Sequence, residues 1–143
     1  MPPTEPPPAI EGVVEAALYF DDLPAATAFY CDVLRLRVMT AGDRLVALDA
    51  GAGSVLLLFQ RGATARGLRF PGGEIPPHDG SGPAHVALGV ARQHLPMWEA
   101  WLGAHGVAVD GRADWDRGGR SLYFRDPGGH SVELVSPGTW ENH

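Results

Sequence analysis

Cysteine is nearly absent: Cys31 is the single one among 143 residues. One thiol closes no intrachain disulfide, so a disulfide-stapled secretory scaffold is excluded. No run of about 18 apolar residues occurs, so no membrane span and no membrane partner are expected. The N-terminus lacks a basic stretch followed by an apolar one, and a cytoplasmic location is the expectation. Positive charge is sparse as well. Lys and Arg number 11 against 17 Asp and Glu, for a net charge of −6, and no basic cluster appears. A nucleic-acid partner is therefore not expected, since that class presents a basic face. Phosphate-binding loops are missing too. Neither the Gly51–Val55 stretch nor Gly118–Ser121 has Walker or Rossmann spacing, and neither precedes a helix.

What is present describes one globular unit. The length suits a single domain, and 45% hydrophobic with 20% charged residues is too apolar for a disordered chain. Gly (19) and Pro (13) are numerous, which predicts many turns and short strands. Five of the first eight residues are proline, so residues 1–12 read as a disordered tail and 13–143 as one domain.

Within that domain a unit repeats. Val13–Phe20 reads as a strand. The following segment from Asp22 reads as a helix, with Asp22 as N-cap, Pro24 in the first turn and an apolar stripe through Leu23, Ala26, Phe29, Tyr30, Val33 and Leu34. Strands are expected at Arg37–Thr40, Leu45–Asp49 and Ser54–Gln60. Arg61–Pro83 has no periodicity and reads as a lid, a functional loop or a disordered segment. A second strand (84–90), a second helix (95–106, with Leu95, Trp98 and Leu102 on one face) and three more strands (107–110, 120–125, 130–135) then follow. Glu15 and His85 are offset by 70 residues, Leu23 and Leu95 by 72, and Leu57 and Glu133 by 76. An offset that grows slowly at turns is the mark of a duplicated βαβββ unit. The expected fold is α+β: two paired βαβββ modules (about 13–62 and 84–137, joined by loop 63–83) forming a curved eight-stranded mixed sheet, a half-barrel around a cavity, with helices on its outer face.

Strand alternation assigns faces. Val14, Ala16, Leu18 and Phe20 are expected under the helices, with Glu15, Ala17 and Tyr19 opposite. In the second module His85, Ala87 and Gly89 face away from the helices, as do Ser131, Glu133 and Val135. One ionisable group per strand (Glu15, His85, Glu133) thus stands on the open face beside small neighbours. Two carboxylates and an imidazole converging there suit a divalent metal. Taken singly, Glu15 also fits an exposed edge strand, His85 a hydrogen-bonded core histidine and Glu133 a surface residue. Their equivalent repeat positions favour the metal reading.

The stretches YFDDLPAATAFYCDVLRL, AHVALGV and GGRSLYFRDPGGHSVELVSPGTW resemble the glyoxalase/bleomycin-resistance/dioxygenase, or vicinal oxygen chelate, superfamily over about Val13 to Trp140. Arg35 stands where the family commonly has Gly. The resemblance implies paired βαβββ modules around a cavity, a homodimer, a small-molecule substrate and metal ligands at four positions: Glu15, Leu57, His85 and Glu133. Leu57 cannot ligate or move a proton, which argues against lactoylglutathione lyase and epimerase chemistry. The other three positions resemble the His, His, Glu trio of extradiol dioxygenases and fosfomycin-type thiol transferases, with Glu15 replacing the first His. The expectation is a metal-dependent enzyme acting on a small oxygen-chelating substrate, dioxygenase-like or lyase-like, and the implied cofactor is one divalent ion: Fe, Mn, Ni, Zn or Mg. A metal-free antibiotic-binding protein of the bleomycin-resistance type is the alternative, with Trp and Tyr lining its cleft.

Further candidates surround these. His78, in the long loop, is placed as a fourth ligand, acid/base group or substrate contact. Tyr123 is placed as a donor to a bound oxygen and Arg120 as an anion contact at the cavity mouth. His130 points with Val132 and Leu134 and reads as structural. Asp126–Gly129 reads as a turn without chemistry, Trp115 and Trp140 as caps, and Cys31, mid-helix with no nearby histidine, as no nucleophile.

Overall fold

A computed structural model describes residue 1 and residues 4–143; Pro2 and Pro3 of the expected tail lie outside the described residues. No helix or strand forms before Glu15 among the described residues. The first module runs β1 (Glu15–Phe20), α1 (Leu23–Ala28), a π-helical turn (Phe29–Val33), β2 (Arg37–Ala41), β3 (Leu45–Asp49) and β4 (Val55–Gln60). The connection carries a hairpin, β5 (Leu68–Phe70) and β6 (Gly73–Ile75). The second module runs β7 (His85–Gly89), a 3-10 turn (Arg92–His94), α2 (Leu95–Ala104), β8 (Gly111–Asp114), β9 (Arg120–Arg125) and β10 (Ser131–Val135).

The repeat is exact in topology. The sheets are ordered β1-β4-β3-β2 and β7-β10-β9-β8, each with one parallel pair and two antiparallel pairs. Glu15 pairs with Val55 and His85 with Ser131, so Leu57 and Glu133 occupy equivalent register positions. The α+β architecture is the expected one, with its eight main strands hydrogen-bonded as two sheets of four.

Local chemistry explains the elements. The Asp22 carboxylate accepts from the Ala25 amide at 3.0 Å, and Pro24 sits in the first turn, as its missing amide allows. The Thr27 hydroxyl donates back to Leu23 O at 2.8 Å, a bond that competes with the helical ladder, and the helix slackens into the π turn just beyond. That turn seats Tyr30, whose hydroxyl donates to Asp126 at 2.7 Å across the module boundary. Trp101 of α2 donates to Val33 O at 2.7 Å and stitches the same turn to the second helix.

One core serves both modules. Leu18, Phe20, Leu56 and Leu58 from the first sheet, Leu122, Phe124, Val132 and Leu134 from the second, and Leu23, Tyr30, Leu95 and Leu102 from the helical segments form a single buried cluster. The opposite sheet faces, which carry the ionisable groups, are turned away from it. Three expectations change. Val14 and Ala16 do not pack under the helices: both are exposed, because the core takes only Leu18 and Phe20 from β1. The strand placed at 107–110 lies at Gly111–Asp114, while Val107 and Val109 pack on the core outside any strand. The 61–83 connection, where no element was expected, carries a hairpin and forms an arch.

Candidate functional site

The second sheet brings together two of the expected ligand residues. His85 and Glu133 stand on its open face, with His85 Nε2 at 3.2 Å from Glu133 Oε1. His85 Nδ1 lies 3.0 Å from Ser131 O, its register partner. A carbonyl oxygen only accepts, so Nδ1 carries a hydrogen and Nε2 is left facing the carboxylate. Two acceptors at this distance repel unless a cation, either a proton or a metal ion, lies between them. The donor chemistry therefore fits a divalent ion held by imidazole nitrogen and carboxylate oxygen.

Glu133 is nearly enclosed, at 7% exposure, and its second oxygen is satisfied. Ser121 Oγ donates to Oε2 at 2.5 Å and itself accepts from Trp115 Nε1 at 2.8 Å. This Trp115–Ser121–Glu133 chain fixes the carboxylate's orientation. The sequence reading has Trp115 as a cap and gives Ser121 no role; the signal was the shared open face of Ser121 and Glu133 on adjacent strands. Tyr123 pairs directly with Glu133 across β9–β10 and stacks on His85 at 6.3 Å. Burial first, then the Glu133 charge, raises its phenol above the ordinary value, so Tyr123 is a neutral hydrogen-bond donor.

Glu15 lies elsewhere. It lines a cavity of about 570 Å³ on the open face of the first sheet, together with Leu57, Phe59, Arg44 and His78. The β5–β6 arch roofs this cavity through Leu68, Ile75 and Pro76. The arch is clasped at its base. Thr64 Oγ1 donates to His78 O, the His78 amide donates to Thr64 O at 3.1 Å, and the Gly62 amide donates to Asp79 at 3.2 Å. His78 is thereby brought into the pocket, and its Nδ1 meets the Tyr19 hydroxyl at 2.6 Å. Glu15 does not join His85 and Glu133: among the described residues no three His, Cys, Asp or Glu side chains gather closely enough to hold a metal.

Arg120 is corrected. Strand alternation turns it from the Ser121–Tyr123 face to the α2 side. There it pairs with Asp114 at 2.6 Å in a groove beside Leu95 and Leu122, away from the cavity mouth. His130 is buried and structural. Its Nδ1 lies 2.9 Å from each Asp126 oxygen, and its ring meets Phe20 edge-on at 4.8 Å. Asp126 also receives the Tyr30 hydroxyl and the Gly128 and His130 amides, so the expected turn holds a buried polar hub.

Duplicated βαβββ modules with ligand-type side chains on their open faces define a vicinal oxygen chelate fold. The chain belongs to the glyoxalase/bleomycin resistance protein/dioxygenase superfamily, whose family model matches residues 12–134. It resembles the crystal structure of lactoylglutathione lyase from Agrobacterium tumefaciens at 32% identity and a TM-score of 0.83, covering 96% of this chain and 99% of that one. Among curated proteins it is similar to metallothiol transferase FosB of Staphylococcus saprophyticus. The identity there is 22% over 126 residues, covering 87% of this chain and 76% of the relative. FosB of Staphylococcus epidermidis matches at 26% over 114 residues, covering 79% and 72%.

Proposed function

We propose that this chain is a metal-dependent enzyme acting on a small, oxygen-chelating substrate, and that two copies complete each site. His85 and Glu133 of one copy and Glu15 of a second would hold one divalent ion. The supporting observation is the pair of facing acceptors, His85 Nε2 and Glu133 Oε1, in a chain whose third ligand-type residue stands on another sheet. Of the two edges each sheet has, β1 and β7 are the ones that carry ligand-type residues, and the residues there (Glu15–Ala17; His85, Ala87, Gly89) are exposed, as an edge covered by a second copy would be in isolation.

A divalent ion bound there supplies Lewis acidity to a chelated oxygen. The chain's own residues do the rest. Ser121 and Trp115 keep Glu133 oriented, and the Ser131 carbonyl keeps the His85 lone pair available. Tyr123 offers a proton-bearing oxygen beside the pair, and the arch shields the first-sheet pocket from water. Leu57 offers no second carboxylate at its position, so a proton shuttle between paired glutamates is not the chemistry this pocket supports; chelation with a dioxygenase-like or transferase-like step suits it better.

Elemental analysis of tag-free protein purified without chelator tests the reading. The expected result is about one metal per two-module site in the wild type, lost in Glu15→Ala, His85→Ala and Glu133→Ala. Absence of metal after reconstitution with Mn, Fe, Ni and Zn would leave the metal-free binding protein as the better account.

A further inference from the structure

We propose that Tyr19 is a positioning residue that holds His78 as its Nε2–H tautomer, and that the first-sheet pocket consequently takes an uncharged carbonyl compound with an apolar or aromatic body. This deepens the functional reading, because it rests on that pocket being the place where a small molecule binds.

The Tyr19 hydroxyl has one partner among the described residues, His78 Nδ1 at 2.6 Å. A phenol donates a hydrogen bond more strongly than it accepts one. Burial and the charge of Asp79 also raise its pKa, so Tyr19 keeps its proton. With Nδ1 accepting, a neutral imidazole carries its hydrogen on Nε2. No side chain or carbonyl among the described residues accepts that hydrogen, and Nε2 is not among the buried unpartnered atoms, so the donor is open to a ligand.

The ring is clamped as well as polarised. Tyr19 stacks on Phe59 at 5.6 Å, and Phe59 meets the His78 ring edge-on at 4.9 Å. The Thr64–His78 clasp holds the backbone, and Gly80 rests against the Tyr19 ring so closely that an added Cβ would stand 2.6 Å from it. The donor is therefore preorganised, which lowers the entropy lost on binding.

The walls define what accepts from it. Leu45, Leu57, Phe59, Leu68 and Ile75 are apolar. The cation on the lining, Arg44, is tethered by its Nε and Nη2, which donate to Ala63 O at 3.3 and 2.9 Å. Glu15 adds negative charge. Arg44 and Glu15 offset each other in charge, so the lining carries no net charge of its own, and a neutral carbonyl oxygen finds one aimed N–H and an apolar shell.

Long-range proton–nitrogen NMR on the full chain with labelled histidine tests this at about pH 9, where ordinary imidazoles are neutral. Spectra are recorded with and without diamagnetic Zn²⁺, and His78→Asn assigns the signal. The expected result is an Nε2–H ring in the wild type that becomes a tautomer mixture in Tyr19→Phe, a variant that keeps the Phe59 stack. Acetophenone is the ligand probe and isopropylbenzene its acceptor-free counterpart. Acetophenone should bind about three- to tenfold more tightly to the wild type than isopropylbenzene does, an advantage lost in His78→Asn. A wild-type Nδ1–H ring or mixture would overturn the positioning role, even if Tyr19→Phe failed to fold. Equal binding of the two probes, or binding of neither, would overturn the ligand class. Protein that holds no metal yet gives the expected tautomer and probe ratio would sink the metal reading alone.

Discussion

A carboxylate as enclosed as Glu133 is tolerable only because each oxygen has a defined neighbour: the Ser121 hydroxyl on one and His85 Nε2 on the other. Removing the hydroxyl frees the carboxylate to rotate and strands the Trp115 donor. Ser121→Ala should therefore weaken metal affinity by roughly 10- to 100-fold, the usual cost of losing an outer-shell partner, in a chelator-competition titration. An unchanged affinity would show that Ser121 does not orient the ligand. Tyr30 gives a second residue-level prediction. Burial, the Asp126 charge and the hydrogen bond to Asp126 push its phenol far above the usual 10.0. A phenol raised in the folded state contributes stability below its unfolded value and loses it as pH climbs past that value. Urea unfolding between pH 9 and 11 should thus show stability falling from about pH 10, at up to ~1.4 kcal/mol per pH unit. In Tyr30→Phe that extra slope disappears; equal slopes in both proteins would contradict the assignment.

Among the elements, the arch between the modules controls the first-sheet pocket. Its base depends on Thr64, which is almost fully buried and bonds His78 through both hydroxyl and carbonyl. Thr64→Val preserves shape but leaves His78 O without its side-chain donor, at a cost of about 1–3 kcal/mol. Faster amide hydrogen exchange at His78 and Gly67, with core amides less affected, is the expected readout. Uniform exchange rates matching the wild type would mean the clasp is not what holds the arch. The arch also shows where the sequence was opaque. Leu68–Phe70 and Gly73–Ile75 are three-residue, exposed strands around Pro71-Gly72, too short to set up an alternation that burial would enforce. The short edge strand Gly111–Asp114 escaped notice because the apolar signal at Val107 and Val109 belongs to a core-packing segment just before it. Where a strand is largely buried, as at Leu45–Asp49 and Arg120–Arg125, its apolar content between turn residues located it to the residue.

For the molecule as a whole, the repeat was legible because both modules keep one register: Leu57 pairs with Ala17 as Glu133 pairs with Ala87. Periodicity also told which face Glu15, His85 and Glu133 occupy within their own sheets. It carries no information on how one module lies against the other. That pose depends on three-dimensional packing of Phe29 on Phe124 and Phe20 on His130, and on the Tyr30–Asp126 bond. The shared core turns the two ligand-bearing faces apart, which is why the proposed site calls for a second copy. Subunit mixing tests that claim most directly. Glu15→Ala and Glu133→Ala are each purified, mixed under conditions that exchange subunits, and assayed for bound metal after dialysis. A site shared between copies regenerates one intact ligand set in each mixed dimer, so metal should return to about a quarter of the wild-type level for random pairing. Metal content that stays at the level of the separate variants would contradict a site built by two chains.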